Sequence, residues 1–341
     1  MLWKSCNYQT EMQQRDNKID ILRFIGLSMI ILAHVHSPNL IHQVRSFDVP
    51  LMLFVSGLVS SNKEFGPYGK YFIHRLKRLV IPVWLFLSAY FLLYYGSRFV
   101  LLTKVDIPWS TIIESYFFLD GIGYVWVIRV FLLIMLVTPQ LVFIEKKIRS
   151  TLCYFGVCFS LLVVQLGIVA FGQSLNDGLL STLYNQYLCY ILGYSVPFML
   201  GLRFKDVSEY KPSFWCGLAI AVFVTISVYV CNNGMHIIDF QIYKYPPYSY
   251  FIIYGSLISL LLWYCVTSLS SNSYIGGVSW IGRNTIWIYL WHIPFVTFTT
   301  MLNSWALRYF MVYMASITIF YIQYKIVKRL NNSFLNRYFV G

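Results

Sequence analysis

The amino-acid sequence predicts an all-α, polytopic integral membrane protein with about ten transmembrane helices. Hydrophobic residues make up 58% of the chain and charged residues 11%, against about 45–50% and about 25% in soluble globular proteins. The apolar residues are gathered into runs long enough to cross a bilayer as helices. No internal repeat and no long low-complexity linker separates these runs. We therefore expect residues 1–341 to form a single transmembrane domain.

The chain begins with a polar segment, residues 1–18. This segment has no short apolar region followed by a small-residue cleavage site, so it is not interpreted as a removable signal peptide. The candidate spans that follow are residues 19–37, 46–62, 80–102, 122–143, 151–172, 184–203, 213–231, 248–268, 284–302 and 305–327.

The basic residues predict how these spans are oriented. With the amino terminus inside, nineteen lysines and arginines fall in inner segments and four, Arg45, Lys104, Lys244 and Arg308, in outer ones. Such a bias is typical of cytoplasmic loops, so both termini are expected in the cytoplasm. Topology thus accounts for the net charge of +13, and no nucleic-acid partner is expected. The seven cysteines show no metal-ligand spacing, and no metal site is predicted.

The first span carries two ionisable residues, Arg23 and His34. Eleven helical residues turn through about 1100°, so the two side chains share a face about 16 Å apart along the axis. Ionisable residues inside a span are costly, and an aligned pair favours a functional role. The structural alternative is that Arg23 extends to the interface and His34 hydrogen-bonds a neighbouring helix.

The second span begins with Asp48, near the outer end toward which His34 points. Its carboxylate is a candidate to orient or charge-stabilise the imidazole of His34. A helix N-cap is an equally good interpretation. Further along, Ser56-Gly57 is interpreted as a site of close helix approach.

The loop before the third span contains Arg75 and Arg78, one helical turn apart, followed by Pro82 as the expected start of the helix. Two guanidinium groups at this spacing can clamp a phosphate through bidentate hydrogen bonds. The positive-inside rule alone also places basic residues here.

Two later spans add candidate ligand contacts. Trp126 and Arg129 share a face of the fourth span at i and i+3, and are interpreted as membrane anchors or as substrate contacts. In the ninth span, Asn284 is a candidate cap and His292 precedes a kinking proline, Pro294. A structural, hydrogen-bonded role is favoured for His292, which is also retained as a candidate substrate contact.

Taken together, these segments give the chain a family resemblance. They are Ile19-Asp20-Ile21-Leu22-Arg23 with His34, Phe47 to Gly57, Arg75 to Pro82, Trp126, and Ile281-Gly282-Arg283-Asn284 through to His292. The chain resembles the membrane acyltransferase-3 family, whose members O-acylate polysaccharides and other extracytoplasmic acceptors. It departs from the family pattern at Val127 and at Met52-Leu53, where aromatic residues are common.

The resemblance implies an acyl-coenzyme A donor on the cytoplasmic side, with acetyl-coenzyme A expected and no bound cofactor. The implied acceptor is a hydroxyl of a surface polysaccharide, for example O-antigen, or of a lipid-linked glycan. Arg23, Arg75 and Arg78 would then contact the donor, and His34 would be the base or a transient acyl carrier. The expected location is a bacterial cytoplasmic (inner) membrane, with membrane lipids as further partners.

A transporter or flippase of a lipid-linked sugar is the main alternative, since it also needs inward histidines and arginines. The spans show no obvious two-half repeat, which is typical of many transporters. A purely structural membrane subunit would leave the aligned Arg23 and His34 unexplained.

Overall fold

The computed structural model describes residues 17–61, 63–100, 107–119, 121–176, 178–204, 240–268 and 276–340. Within these ranges the chain forms helices and turns and no strand, so the predicted all-α class is confirmed for them. The predicted seventh span, residues 213–231, and residues 1–16 of the polar segment lie outside the described residues.

The α-helices can be numbered in chain order. They are α1 (Asn17–Ala33), α2 (Asn39–Val44), α3 (Asp48–Ser60), α4 (Tyr68–Val100), α5 (Trp109–Tyr116), α6 (Trp126–Lys147), α7 (Thr151–Ser174), α8 (Leu179–Thr182), α9 (Cys189–Phe204), α10 (Ser249–Ser268), α11 (Gly276–Arg283), α12 (Thr285–Phe298), α13 (Trp305–Leu330) and α14 (Ser333–Leu335). A π-helical segment, Leu183–Leu188, joins α8 to α9, and another, Asn336–Val340, follows α14.

Six helices of the described part are long and apolar enough to cross a membrane, which supports a multi-pass membrane protein. They are Tyr68–Val100, Trp126–Lys147, Thr151–Ser174, Leu179–Phe204, Ser249–Thr267 and Trp305–Leu330. The predicted spans 19–37, 46–62 and 284–302 correspond to α1, α3 and α12, with 17, 13 and 14 residues. At about 1.5 Å per residue these helices are shorter than a hydrocarbon core of about 30 Å. The count of ten spans therefore stays a prediction.

One predicted helix start is wrong. Helix α4 begins at Tyr68, so Pro82 lies inside the helix instead of starting it, and Arg75 and Arg78 are helical. The apolar run was a poor guide here, because a helix continues through polar residues wherever the protein or the interface accommodates them. Helix α6 begins at Trp126, a few residues after the predicted start of the span at residue 122, and Arg129 lies in its first turn.

Among the described residues two hydrophobic clusters form the core, and α1 contributes to both. Leu22 packs in a cluster built mainly from α3, α6, α7, α9 and α10. Leu27 and Ile31, one or two turns further along α1, pack in a second cluster with residues of α4, α12 and α13. The first helix is thus held on two sides, and packing fixes the orientation of Arg23; His34 lies in the turn directly after the helix, so the shared helical face predicted for the two residues does not extend to His34.

Glycines permit the closest helix contacts. A Cβ atom at Gly57 would lie 3.0 Å from the Cα atom of Gly201, so α3 and α9 touch through their backbones. This confirms the predicted close approach at Ser56-Gly57. Gly282 of α11 packs in a similar way against the backbone of Asp20 in α1.

An ion-pair network reinforces the contact between α1 and α11. Asp20 is fully buried and accepts hydrogen bonds from Arg283 Nε at 2.9 Å and Ser279 Oγ at 3.2 Å. The same carboxylate accepts a bond from Arg23 Nη1 at 3.2 Å. Arg23 is therefore positioned by a residue one turn earlier on its own helix and, through that residue, by α11.

Candidate functional site

The centre of the site is a pair of histidines from opposite ends of the chain. His34 follows the last residue of α1 and is partly exposed, whereas His292 lies inside α12 and is fully buried. The Nδ1 atom of His34 lies 3.0 Å from the Nε2 atom of His292, and the ring centroids are 5.0 Å apart. His292 is thus hydrogen-bonded, as one interpretation of the sequence expected, and its partner is His34.

The hydrogen bonds of His292 determine the proton positions in the pair. Its Nδ1 atom contacts the carbonyl oxygen of Tyr289, and because a carbonyl only accepts, Nδ1 must carry a proton. In neutral His292 the Nε2 atom is then an acceptor, so His34 donates to it from Nδ1. Neutral His34 consequently presents an unprotonated Nε2 atom, which is the state required of a general base.

Two tyrosines surround the histidine pair. The Tyr124 ring meets the rings of His34 and His292 edge-on, with centroid distances of 4.7 and 5.7 Å. The Tyr289 hydroxyl donates to the carbonyl oxygen of Tyr124 and so ties α12 to the segment before α6. These contacts restrict the orientation of both imidazole rings.

Asp48 forms a separate polar cluster next to this pair. It is the first residue of α3, whose N-cap is Phe47, so the capping interpretation is wrong. Its carboxylate lies 2.5 Å from Arg45 Nη1 and 4.0 Å from Lys244 Nζ. Among the described residues no hydrogen bond joins Asp48 to His34, so the carboxylate does not orient the imidazole by direct contact. Burial lowers the pKa of the Lys244 ammonium group to about 8, although Asp48 acts in the opposite direction.

A cavity of about 360 Å³ opens on the side of Arg23. Its lining brings together Arg23, Arg75 and Arg78, the three arginines that the sequence suggested for one ligand. Two further arginines, Arg283 and Arg337, line the same cavity. We call this the arginine cavity. Apolar residues of α1 and the Tyr289 side chain form another part of its wall.

The arginine cavity is partly closed by the C-terminal strap, which we define as residues 333–340. Arg337, Tyr338 and Val340 line the cavity. The strap is held to α12 by a hydrogen bond of 2.9 Å from Trp287 Nε1 to the Tyr338 carbonyl and by stacking of the Trp287 and Phe339 rings at 5.2 Å. Arg337 is one of the nineteen basic residues that the sequence assigns to inner segments, with no role in ligand binding predicted for it.

A second cavity, of about 410 Å³, contains Trp126 and Arg129. We call it the aromatic cavity, since Tyr190 and Tyr245 also line it. The Arg129 guanidinium donates to Gln186 Oε1 at 2.9 Å and lies over the Tyr190 ring at 5.6 Å from its centroid. The predicted proximity of Trp126 and Arg129 is therefore observed, whereas His292 does not line this cavity.

The two tyrosines relate the histidine pair to the cavities, although neither histidine lines either cavity. Tyr289 lines the arginine cavity and contacts His292. Tyr124 contacts both histidines and is next in the chain to Gly123, which lines the aromatic cavity. The Tyr289 side chain is therefore the contact that links the histidine pair to the arginine cavity.

A protein-family model described as an acyltransferase domain matches residues 16–335 of the chain. The chain belongs to the acyltransferase-3 family. It is accordingly a multi-pass membrane acyltransferase. No curated protein and no solved structure matches the chain significantly. The family match includes both histidines and four of the five cavity arginines, whereas Arg337 lies beyond it.

Three contributions to this acyltransferase site escaped the sequence reasoning: the His34–His292 pairing, the two added arginines and the Lys244 cluster. Signals existed for Arg283, which belongs to the segment Ile281-Gly282-Arg283-Asn284 quoted for the family resemblance, and for the Lys244 cluster. Arg45 and Lys244 are two of the four basic residues assigned to outer segments, where the positive-inside rule makes them exceptions. Both contact Asp48 in the fold.

Proposed function

We propose that the protein is a membrane O-acyltransferase that moves an acetyl group from cytoplasmic acetyl-coenzyme A to a hydroxyl of a surface polysaccharide or lipid-linked glycan. The observation that carries the proposal is the hydrogen-bond chain from Tyr289 through His292 to His34, which leaves Nε2 of His34 as the basic atom. Holding one imidazole nitrogen so that the other acts as base is the arrangement found in hydrolase triads.

The arginine cavity supports a coenzyme A donor. Coenzyme A carries several phosphates, and guanidinium groups bind phosphate oxygens in bidentate fashion. Five arginines line the cavity, while Asp20 compensates part of their charge. Helix α1 rises by about 15 Å from Arg23 to its last residue, Ala33, directly before His34, and an extended pantetheine arm can bridge such a distance. In this proposal the phosphates bind the arginines and the thioester reaches the histidine pair.

The aromatic cavity supports a sugar acceptor. Trp126 and Tyr245 meet edge-on at 5.1 Å, and Tyr190 lies beside Trp126. Aromatic rings present large apolar faces with polar edges, a combination that suits the apolar face of a pyranose and its hydroxyl rim. The acceptor hydroxyl would be directed from this cavity toward His34.

The proposed transfer is direct. His34 Nε2 takes the proton of the sugar hydroxyl as its oxygen attacks the thioester carbonyl carbon. The C–S bond then breaks, and the departing coenzyme A thiolate receives the proton from His34. The products are the O-acetyl sugar and free coenzyme A. His292 stabilises the imidazolium form of His34 by accepting its Nδ1 proton in a hydrogen bond.

The test is transfer of radiolabel from acetyl-coenzyme A to glycan by the purified protein in lipid nanodiscs, with total glycans of the native host as acceptor. His34→Ala should lower transfer about 10²- to 10⁴-fold. His36→Asn is the matched control, because His36 is exposed and has a positive φ of 54° that asparagine tolerates.

Three results separate the alternatives. Label fixed on glycan by the wild type and by His36→Asn, but not by His34→Ala, supports the proposal. Movement of glycan across liposomes without acylation would support the transporter instead. Label trapped on the protein after acid quenching, and lost in His34→Ala, would replace direct transfer by an acyl-histidine intermediate.

A further inference from the structure

Arg129 is a buried cation that faces the aromatic cavity. The residue is 5% exposed, lies in the first turn of α6 and lines the cavity together with Trp126 and Tyr245. Its Nη1 atom donates to Gln186, while its Nε atom is buried and has no hydrogen-bond partner. Among the residues that the structure describes, no carboxylate lies within 4.0 Å of Arg129.

A guanidinium in this setting favours an anion. Burying a charge is costly unless an opposite charge or several hydrogen bonds compensate it. A neutral amide and the faces of Tyr187 and Tyr190, at 5.9 and 5.6 Å, supply only part of that compensation. The buried Lys244 ammonium group lies 5.1 Å from the Trp126 ring centroid, beside the same cavity, and Asp48 at 4.0 Å compensates part of its charge. A neutral sugar would supply no negative charge to compensate the Arg129 guanidinium.

We propose that the acceptor is an anionic glycan, whose carboxylate or phosphate binds Arg129 while a sugar ring packs against Trp126 and Tyr245. The inference rests on the proposed function for the identity of the acceptor as a glycan. It adds the substrate class: an acidic sugar or a sugar phosphate, in place of a neutral polysaccharide. Arg129 is in this view a specificity residue that selects and orients the acceptor and takes no part in proton transfer.

A structural role for Arg129 is the competing explanation. Its bond to Gln186 joins α6 to the π-helical segment Leu183–Leu188, so the residue also connects two elements. A purely structural arginine would affect unfolding without distinguishing charged from neutral ligands. The experiment must therefore measure a difference between two ligands on the same folded protein.

The experiment is calorimetric binding to the full-length protein in nanodiscs with two matched ligand pairs. The first pair, trigalacturonic acid and its methyl ester, tests a carboxylate as the group that binds Arg129. The second pair, galactose 1-phosphate and methyl α-galactoside, tests a phosphate. In the wild type, at least one charged ligand should bind about tenfold or more tightly than its neutral partner. Arg129→Gln should abolish that difference, and Arg129→Lys should restore part of it.

Arg98→Gln is the matched control, because it removes a positive charge near the end of α4 from a residue that does not line the cavity. It should keep the wild-type preference. Equal binding within both pairs, no binding of any ligand, or a preference that survives in Arg129→Gln would overturn the proposal. Ligand preference without acetyl transfer would leave this inference standing and refute the proposed function. Acetyl transfer without a preference for a charged ligand would refute this inference and leave the proposed function standing.

Discussion

At the scale of single residues, the chemistry of the site depends on how one histidine is oriented by another. His34 alone, at the end of α1, has two equivalent tautomers. The buried His292, itself fixed by the Tyr289 carbonyl, selects the tautomer in which Nδ1 of His34 is the donor. Both residues are therefore expected to act as a unit, with His34 reacting and His292 positioning it.

The first prediction concerns His292→Phe, which keeps a ring in the buried site but removes the acceptor for His34. An unpaired buried donor costs about 1–3 kcal/mol, so kcat should fall about 10- to 100-fold with little change in the KM for acetyl-coenzyme A. The measurement is steady-state acetyl transfer at varied donor concentration. In the double variant with His34→Ala, kcat should be no lower than in His34→Ala alone. Additive losses in that cycle would show that the histidines act independently.

A second residue-scale prediction follows from the depressed pKa of Lys244. The pKa is about 8 in the folded protein, against an ordinary value near 10.5. Between these values the unfolded chain binds the proton and the folded protein does not, so folding stability should rise as the pH rises from 8 to 10.5. Thermal unfolding should show this rise in the wild type relative to Lys244→Met. Parallel unfolding temperatures of the two proteins across that interval would contradict a buried Lys244.

At the scale of elements, the donor side is assembled from helices that are distant in the chain. Helix α4 supplies Arg75 and Arg78, α1 supplies Arg23, α11 supplies Arg283 and the C-terminal strap supplies Arg337. The strap is attached through Trp287 and through a bond of 2.8 Å from Gln323 Nε2 to the Phe339 carbonyl. It therefore forms a wall of the arginine cavity as well as the end of the described chain.

We predict that Arg337→Gln weakens the binding of acetyl-coenzyme A about three- to tenfold, because an exposed guanidinium contributes modestly to phosphate binding. The measurement is the Kd of the donor from calorimetry in nanodiscs. Arg329→Gln is the control, since Arg329 is an exposed basic residue in the last turn of α13 and lies outside the cavity lining. Equal losses in the two variants would indicate a general charge effect and remove the strap from the donor site.

At the scale of the whole molecule, the described helices are held together by two hydrophobic clusters, and α1 has residues in both. Stability in lipid depends on close van der Waals packing between helices, because lipid tails are as apolar as the side chains. The α3 and α9 backbones are the clearest example, since a Cβ atom at Gly201 would lie 3.0 Å from the backbone nitrogen of Leu58. This contact anchors α3, which begins at Asp48.

Gly201→Ala should therefore lower the free energy of unfolding by about 1–3 kcal/mol, the usual cost of overpacking a core. The measurement is thermal or denaturant unfolding in detergent. Gly156→Ala is the matched control, because Gly156 is also helical and an added Cβ would meet no atom within 4 Å. It should be neutral or slightly stabilising, as alanine favours helix over glycine. A similar response of both variants would show that the α3–α9 contact is not tightly packed.

The sequence by itself determined the features that depend on local periodicity and composition. The all-α multi-pass class follows from long apolar runs, and the family follows from short motifs at fixed spacing. Helical spacing and charge suggested Arg75 and Arg78 as a phosphate clamp, the family resemblance added Arg23 to the same ligand, and the arginine cavity contains all three. The start of α4 was predicted less well, as Pro82 shows, because hydropathy does not indicate where backbone hydrogen bonds begin.

Only the tertiary structure decided which distant side chains meet. His34 and His292 are 258 positions apart, and Asp48 and Lys244 come from segments separated by most of the described chain. Helical periodicity describes neighbours at i+3 and i+4 and carries no information on which helices pack together. In a membrane that choice depends on shape and on a few polar contacts instead of on a hydrophobic pattern. The orientation of the reactive histidine is therefore a property of the fold, although the residue itself is recognisable in the sequence.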